Sequence, residues 1–389
     1  MRTRAGSEAN SHKLPPLSRL ALGVVVNPVA GIGGRVGLKG SDGAEIQKKA
    51  FALGALPEAL DRTVQALERV KPLKEDLQVI TYPAEMGEDA ARACGLEPTV
   101  IGSINQGKTT PQDTENAAID MLRLRVDLLL FAGGDGTARD VCNAIGETLP
   151  VLGIPAGVKI HSAVFATNPI NAGELAALYL QGKVASLRAA EVMDVDEEGF
   201  RRGIVSAKLY GYLRIPSQTR LVQTVKAPSS PGEEASMEAI AYDIIDRMDD
   251  DCFYIIGPGT TTRAITSRLG LSKTLIGVDV VAARKLVAVD VNESQLLELL
   301  EGRKAKIIVT PIGGQGCIFG RGNQQISPKV IEKVGKDNII VVGTTRKVNS
   351  LAGRPLWVDT GERAVDRMLS GYVKILTGYN EQMIYKVSC

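Results

Sequence analysis

Short apolar runs alternate with amphipathic stretches along the first half of the chain. Leu20 to Val26 is a continuous apolar run that predicts a buried parallel strand, and it stops at Asn27-Pro28. A glycine-dense loop follows, with Gly31, Gly33, Gly34, Gly37, Gly40 and Gly43 between Val29 and Gly43. A helical stretch then runs from Ala44 to Val70, interrupted near Gly54 and Pro57. Gln78 to Tyr82 predicts a strand, Gly87 to Cys94 a short helix and Thr99 to Ser103 another strand. In Gln112 to Leu124 apolar residues recur at helical spacing at Ala117, Ala118, Met121, Leu122 and Leu124, and Asp127 to Ala132 is a strongly apolar strand. Strands alternating with helices imply parallel βαβ units in an open, twisted sheet, whose ligands lie at the carboxyl ends of the strands.

The texture changes from Ala189. Ala190 to Asp196, Gly203 to Leu213 and Arg220 to Val225 are β-like runs joined by short polar breaks, which predicts a β-rich second domain. After a polar interruption at Pro228 to Glu234, a helix is expected over Ala235 to Met248. Alternation returns with Cys252 to Ile256, Thr262 to Leu269, Thr274 to Val281, Ser294 to Leu300, Lys306 to Pro311 and Asn338 to Gly343. The division expected is a flexible tail over 1–19, an open parallel α/β domain over 20–189 and a β-rich domain with added α/β elements over 190–389. The extreme carboxyl end of that second domain is expected to pack back on the first.

Composition narrows the partners. The 389 residues carry 46 basic and 44 acidic side chains, for a net charge of +2, and no block of like charge offers a footprint for nucleic acid or an anionic membrane. No apolar run reaches the roughly 18 residues of a membrane span, and Met1 to Leu17 has charges and prolines where a signal peptide needs an apolar stretch. Cys94, Cys142, Cys252, Cys317 and Cys389 are odd in number and widely spaced, without a CxxC, so neither a zinc site nor a disulfide framework is expected and a cytoplasmic location fits.

The strongest chemical signal is Phe131-Ala132-Gly133-Gly134-Asp135-Gly136-Thr137, between an apolar strand and a helix beginning near Ala138. Glycines let backbone N–H groups approach an anion, and the helix N-terminus adds about half a positive charge. A carboxylate inside such a cradle is repelled by phosphate unless it accepts a proton from an attacking hydroxyl or holds a metal ion. Asp135 is therefore the first candidate for catalysis. The plainer account, a turn at Asp135-Gly136 with Thr137 as helix cap, leaves the remaining glycines unexplained.

These residues resemble the ATP-NAD kinase superfamily, which shares its amino-terminal architecture with diacylglycerol and sphingosine kinases and has the run seen at Gly133 to Thr137 as its signature. Asn27-Pro28 with Gly31, Gly33 and Gly34 is similar to its first nucleotide loop, and Gly153 to Gly157 to its third segment. Within it, Gly153 to Pro169 and Pro311 to Gln325 resemble the AcoX-like subgroup. The resemblance implies an NAD kinase/diacylglycerol kinase-like α/β fold with a nucleotide-binding first domain and an acceptor-binding second one. It implies transfer of phosphate from ATP, or polyphosphate, to the adenosine ribose 2′-hydroxyl of NAD. Mg²⁺ or another divalent cation would be present, no residue here is assigned to hold it, and a homo-oligomer is expected. Asp135 would take the catalytic-base role, while Asn27, Gly31, Gly33, Gly34, Gly133, Gly134, Gly136 and Thr137 would hold the nucleotide phosphates.

Departures from the pattern matter as well. Pro155 stands where NAD kinases usually have Asn, and the chain continues Val158-Lys159-Ile160-His161-Ser162 instead of Gly-Leu-Gly-Phe. Lys159 and His161 are candidates to neutralise phosphate charge; an equally weighted account has His161 donating to a backbone carbonyl and Lys159 facing solvent. The family's later Asn-Glu pair has only Glu191 and Asp194 as weak counterparts. On the acceptor side, Gly257, Gly259, Thr260, Thr261 and Thr262 resemble the loop that grips NAD, with Thr260 as an ordinary helix cap the competing account. Gly313, Gly314, Gln315, Arg321 and Asn323 combine flexible backbone with groups able to read phosphate or an amide. Arg346, Lys347 and Arg354 read as solvated charges, and His12 as an inert part of the tail. Another small hydroxyl acceptor, or a silent nucleotide-binding regulator, are the alternative functions.

Overall fold

The computed structural model describes residues 20–38, 40, 43–158, 160–195, 207–218, 231–312 and 316–389. Lys159, Gly313, Gly314, Gln315, His12 and the expected strand at Arg220 to Val225 lie outside the described residues. The first half holds a five-stranded sheet in the order β3-β2-β1-β4-β5, made of β1 (Leu20–Val26), β2 (Leu77–Thr81), β3 (Thr99–Val100), β4 (Leu128–Gly133) and β5 (Val151–Pro155). Every pairing in it is parallel, as the alternation predicts. The helices are α1 (Ala44–Ala52), α2 (Ala59–Val70), α3 (Glu88–Ala93), α4 (Pro111–Leu124), α5 (Asp135–Ile145) and α6 (Pro169–Leu180). The stretch from Ala44 to Val70 thus breaks into two helices, and the strand expected over Thr99 to Ser103 contracts to two residues.

Local chemistry explains the boundaries. All six residues of β4 are buried, so the strand needs cover on both faces and reads as unbroken hydrophobicity. Helix α4 begins with a capping box in which Asp113 accepts from the Thr110 N–H at 2.7 Å and the Thr110 hydroxyl at 2.8 Å, with Pro111 at the first position. Because β1 turns to β2 on one side and lies against β4 on the other, the strand order reverses between β1 and β4. Register pairs Val26 with Ala132 and Gly133 with Pro155, so the chain leaves β1, β4 and β5 at one edge.

The hairpin β6 (Leu187–Val195) and β7 (Ala207–Pro216) forms its own antiparallel sheet. The boundary expected at 189/190 falls inside β6, and Ala190, Val192, Leu213 and Ile215 are wholly buried in the first-half core.

The second half is one nine-stranded mixed sheet, ordered β10-β9-β8-β11-β13-β15-β16-β14-β12. Its strands are β8 (Phe253–Ile256), β9 (Asp279–Ala282), β10 (Lys285–Ala288), β11 (Ala305–Val309), β12 (Cys317–Phe319), β13 (Ile339–Val342), β14 (Leu356–Val358), β15 (Gly371–Gly378) and β16 (Glu381–Ser388). Around it lie α7 (Pro231–Asp246), α8 (Thr260–Arg268), α9 (Glu293–Leu299), α10 (Pro328–Val334), α11 (Thr345–Asn349) and α12 (Arg363–Leu369). The hairpin β15 and β16 lies beyond the last predicted element and turns at Asn380 with φ 55°. Its alternation is blurred because Tyr372 and Ile384, 73% and 70% exposed, put apolar residues on the open face. The chain's last strand takes its place between β15 and β14. All five cysteines are unpaired thiols; burial pushes Cys94 up to about 11 and Cys317 up to about 12.

Charged side chains bind the two halves. Arg62 of α2 donates to Asp359 at 2.8 Å, 297 residues away, and to the carbonyl of Pro155 at 3.2 Å. Burial works against this guanidinium, but the charges of Asp359 and Glu58 outweigh it and hold it above the usual arginine range. Arg321, 4% exposed, donates to the carbonyl of Thr167 at 2.5 Å, and Gly322 N–H to that of Val158 at 3.1 Å. Removing one member of a buried pair strands the other charge, so Arg62→Ala or Asp359→Ala should each lower unfolding free energy by about 3–5 kcal/mol. Urea melts check this. The double replacement Arg62→Met with Asp359→Leu should cost less than either single change, and a loss below about 1 kcal/mol in the single variants would show that the pair does not join the halves.

Candidate functional site: three glycine loops around Asp135

The loops that follow β1, β4 and β5 touch one another through backbone. Asn27 ties the first to the second: its N–H donates to the Ala132 carbonyl at 3.0 Å and its amide to Thr137 Oγ1 at 3.0 Å, while its Oδ1 accepts from Val29 N–H at 3.2 Å. The third joins through Gly133, whose carbonyl accepts from the N–H groups of Ala156 and Gly157, both at 2.9 Å. A Cβ on Gly157 would come 2.7 Å from the Cα of Gly134. Gly31, at φ 81°, faces the Ala156 carbonyl so closely that a Cβ would stand 2.2 Å from its oxygen. Gly33 packs on Gly40 of its own loop, and Gly34 on the side chain of Gln324 from the second half.

Helix α5 starts inside this cluster. Gly134 is its N-cap and has no side chain to accept from the first-turn N–H groups, which leaves them for an anion. Gly136 is half-buried and Thr137 buried. Asp135, the first helical residue, is 9% exposed, and its carboxylate turns toward the third loop. Its Oδ1 accepts from the Ser162 N–H at 2.9 Å and hydroxyl at 2.6 Å; its Oδ2 accepts from the His161 N–H at 2.8 Å and lies 3.3 Å from His161 Nδ1. Ser162 Oγ in turn accepts from Met193 N–H of β6 at 2.9 Å, and the Glu191 carbonyl accepts from Ala163 N–H at 2.8 Å. Asp194 pairs with Arg139 on α5. The structure thus brings His161 to Asp135, and it adds Ser162, which the sequence marks only by its place beside His161.

The acceptor candidates have a different setting. Gly257 is buried, Gly259 is the N-cap of α8 at φ 132°, and Thr260 is exposed at the helix start. Thr261 and Thr262 are 1% and 0% exposed, and Thr262 Oγ1 closes the loop on the carbonyls of Gly257 at 2.7 Å and Gly259 at 3.0 Å. Asn323, 1% exposed, accepts from Gly320 N–H and donates to the Ile318 carbonyl, while Arg321 is spent on the junction. Lys347, read as solvated, reaches Thr310 Oγ1 at 3.0 Å. A buried ion pair that the sequence does not announce, Lys273 with Asp279 at 3.5 Å, fixes the turn before β9.

A resident divalent cation finds little here. Mg²⁺ is held by one or two carboxylates with waters and substrate phosphates, whereas both oxygens of Asp135 already accept from the 161–162 segment and Thr137 Oγ1 accepts from Asn27. No group of three or more His, Cys, Asp or Glu suited to a metal occurs among the described residues. These donors do not fit a metal of the protein's own.

Two family models match the chain: the ATP-NAD kinase N-terminal domain over residues 22–184 and the ATP-NAD kinase C-terminal domain over residues 249–387. The chain belongs to the ATP-NAD kinase superfamily. The first model covers all three glycine loops, and the second covers the Gly257 to Thr262 turn. Among solved structures, a diacylglycerol kinase from Bacillus anthracis str. Sterne is 16% identical over 46% of this chain and 47% of its own, with a TM-score of 0.24. A UDP-N-acetylglucosamine 2-epimerase is 12% identical over 86% of both chains, also at 0.24. The chain spans less than half the length of the diacylglycerol kinase structures it matches. No curated protein matches it. Among the described residues no helix is long and apolar enough to cross a membrane.

The contact between loops gives a direct test. Gly157→Ala places a methyl against the backbone of Gly134, and Gly31→Ala adds a strained φ of about 1 kcal/mol or more to its clash. Both variants should bind ATP at least about 10-fold more weakly by calorimetry while keeping a cooperative melt; unchanged affinity would separate the loop cluster from nucleotide binding.

Proposed function

We propose that this protein is an NAD kinase-like phosphotransferase, moving the γ-phosphate of ATP to the 2′-hydroxyl of the adenosine ribose of NAD. The observation that carries the reading is the meeting of three glycine loops at one sheet edge, around a carboxylate at the uncapped start of α5. Phosphoryl transfer needs positioning and charge neutralisation more than covalent help, and backbone N–H groups with one acid–base centre suit it. In this reading Gly31, Gly133, Gly134, Gly136 and Gly157 shape the donor-phosphate cradle, with Gly33 and Gly34 packing its outer wall. Asn27 and Thr137 hold the first two loops in register. Asp135 organises the acid–base centre. Exposed Thr260 and half-buried Gly259 are the parts of the second-half turn that remain open to an acceptor.

A second reading keeps this machinery with another small hydroxyl acceptor. It is favoured by one observation: Thr261, Thr262, Arg321 and Asn323 are buried, and the last three are engaged with backbone groups. An assay of the purified chain with ATP, Mg²⁺ and NAD, read by an NADP-specific dehydrogenase, tests the choice. NADP should form in the wild type, and Asp135→Asn should lower kcat at least about 100-fold while ATP binds within about 3-fold of normal. ATP binding without NADP would give the second reading the field, and an Asp135→Asn enzyme of normal kcat would remove Asp135 from the chemistry.

A further inference from the structure

One stretch of the second half, residues 320–326, touches the third loop, the first loop and the acceptor-side turn in succession. Arg321 donates to the Thr167 carbonyl at 2.5 Å, and Gly322 N–H to that of Val158 at 3.1 Å. Gln324 lies on Gly34 of the first loop, and Ile326 stands 3.7 Å from where a Cβ on Gly257 would be. The stretch is itself fixed. Gly320 and Gly322 turn it at φ 96° and 72°. Asn323 Oδ1 accepts from Gly320 N–H at 3.2 Å, its amide donates to the Ile318 carbonyl at 2.8 Å, and its carbonyl accepts from Ile326 N–H at 2.9 Å. Arg321, Asn323, Gln325 and Ile326 are all buried. Gln324, half-buried, is therefore presented to the first loop from a rigid support.

The first loop is closed by short turns of its own, from Gly34 N–H to the Gly31 carbonyl, Gly37 N–H to Gly34 and Leu38 N–H to Gly33, at 2.8–3.1 Å. Turns of this kind open at little cost unless something packs on them. The second half does so: the Arg35 carbonyl accepts from Glu293 N–H at the start of α9 at 3.2 Å, and Gln324 covers Gly34. A Cβ on Gly34 would stand 2.9 Å from Gln324 Cδ, 3.0 Å from Oε1 and 3.2 Å from Nε2, so the amide is laid over that Cα. Its Oε1 is buried and has no hydrogen-bond partner among the described residues. The contact is thus one of shape, and it strands an acceptor that an apolar side chain of the same length would not. We propose that Gln324 is a positioning residue of the nucleotide site, a side chain of the second half that holds the first glycine loop in the form that meets the phosphates of ATP. This rests on the phosphotransferase reading, and it makes affinity for ATP depend on both halves although all three glycine loops belong to the first.

Three variants separate position from stability. Gln324→Ala removes the cover over Gly34, Gln324→Met keeps its length without the stranded acceptor, and Gln324→Asn draws the amide one methylene away. Hydrogen exchange of the nucleotide-free protein reads the loop directly. Peptides spanning residues 29–38 should exchange at least about 10-fold faster in Gln324→Ala and within about 3-fold of wild type in Gln324→Met, with peptides of β4 and β5 unchanged in both. Calorimetric Kd and KM for ATP should rise at least about 10-fold in Gln324→Ala with kcat within about 3-fold, and Gln324→Met should bring them back to within about 3-fold. A side chain that only fills space would shift the melt and leave loop exchange and ATP affinity alone, and that result overturns the proposal. A fall in kcat at unchanged KM overturns it too. Should Gln324→Ala fail to fold, Gln324→Asn decides by the same readouts, with a change of at least about 3-fold expected. If the wild type forms no NADP, the NAD reading falls by itself, while ATP affinity and loop exchange still decide the role of Gln324. If it binds no ATP, the ATP reading falls and exchange alone decides: faster exchange confined to the loop sustains the positioning role, and unchanged exchange ends it.

Discussion

The backbone contact between Gly134 and Gly157 sets the terms for the rest of the site. With a Cβ on Gly157 only 2.7 Å from the Cα of Gly134, nothing larger than hydrogen fits between the loops after β4 and β5. That closeness lets Gly133 accept from two successive N–H groups, and it brings residues 161 and 162 within reach of the Asp135 carboxylate. The buried carboxylate accepts from three donors at 2.6–2.9 Å, as a buried charge requires, with His161 Nδ1 3.3 Å from it. A methyl on Gly157 would push these two loops apart next to the place where the acid meets its donors.

The two halves depend on one another through the same edge of the first sheet. Arg62 spans from the end of β5 at Pro155 to Asp359 in the second half, and Arg321 and Gly322 reach back to residues 158 and 167 on either side of His161. The segment that carries His161 is therefore pinned at both ends by the second half, and at its centre by Asp135. Arg321 looks in the sequence like an anion reader; its placement makes it part of the frame that presents His161. In the Gly257 to Thr262 turn, Gly259 and Thr260 are the residues that the fold leaves open to solvent.

The fold was largely legible because the first half obeys local rules. Unbroken apolar runs buried on both faces gave β1, β4 and β5; glycines after them gave the loops; Pro111 and the Thr110 cap gave α4. Where apolar residues face solvent, as on β15 and β16, the period-two signal faded and the hairpin went unread. The hairpin of β6 and β7 was seen as β-structure, but its membership in the first core depends on Ala190, Val192, Leu213 and Ile215 meeting helices far from them in sequence.

Within the site, the sequence by itself determined that Gly133 to Thr137 would be a glycine-rich strand-to-helix turn with one acid in it, because turn glycines and helix starts are local features. Tertiary structure decided what that acid touches. The meeting of Asp135 with His161 and Ser162, across 26 and 27 residues, and of Arg62 with Asp359, across 297, depends on how strands are ordered in the sheets. No spacing in a chain encodes such pairs; they exist because parallel strands gather their exits at one edge, and because a buried charge must find its partner there.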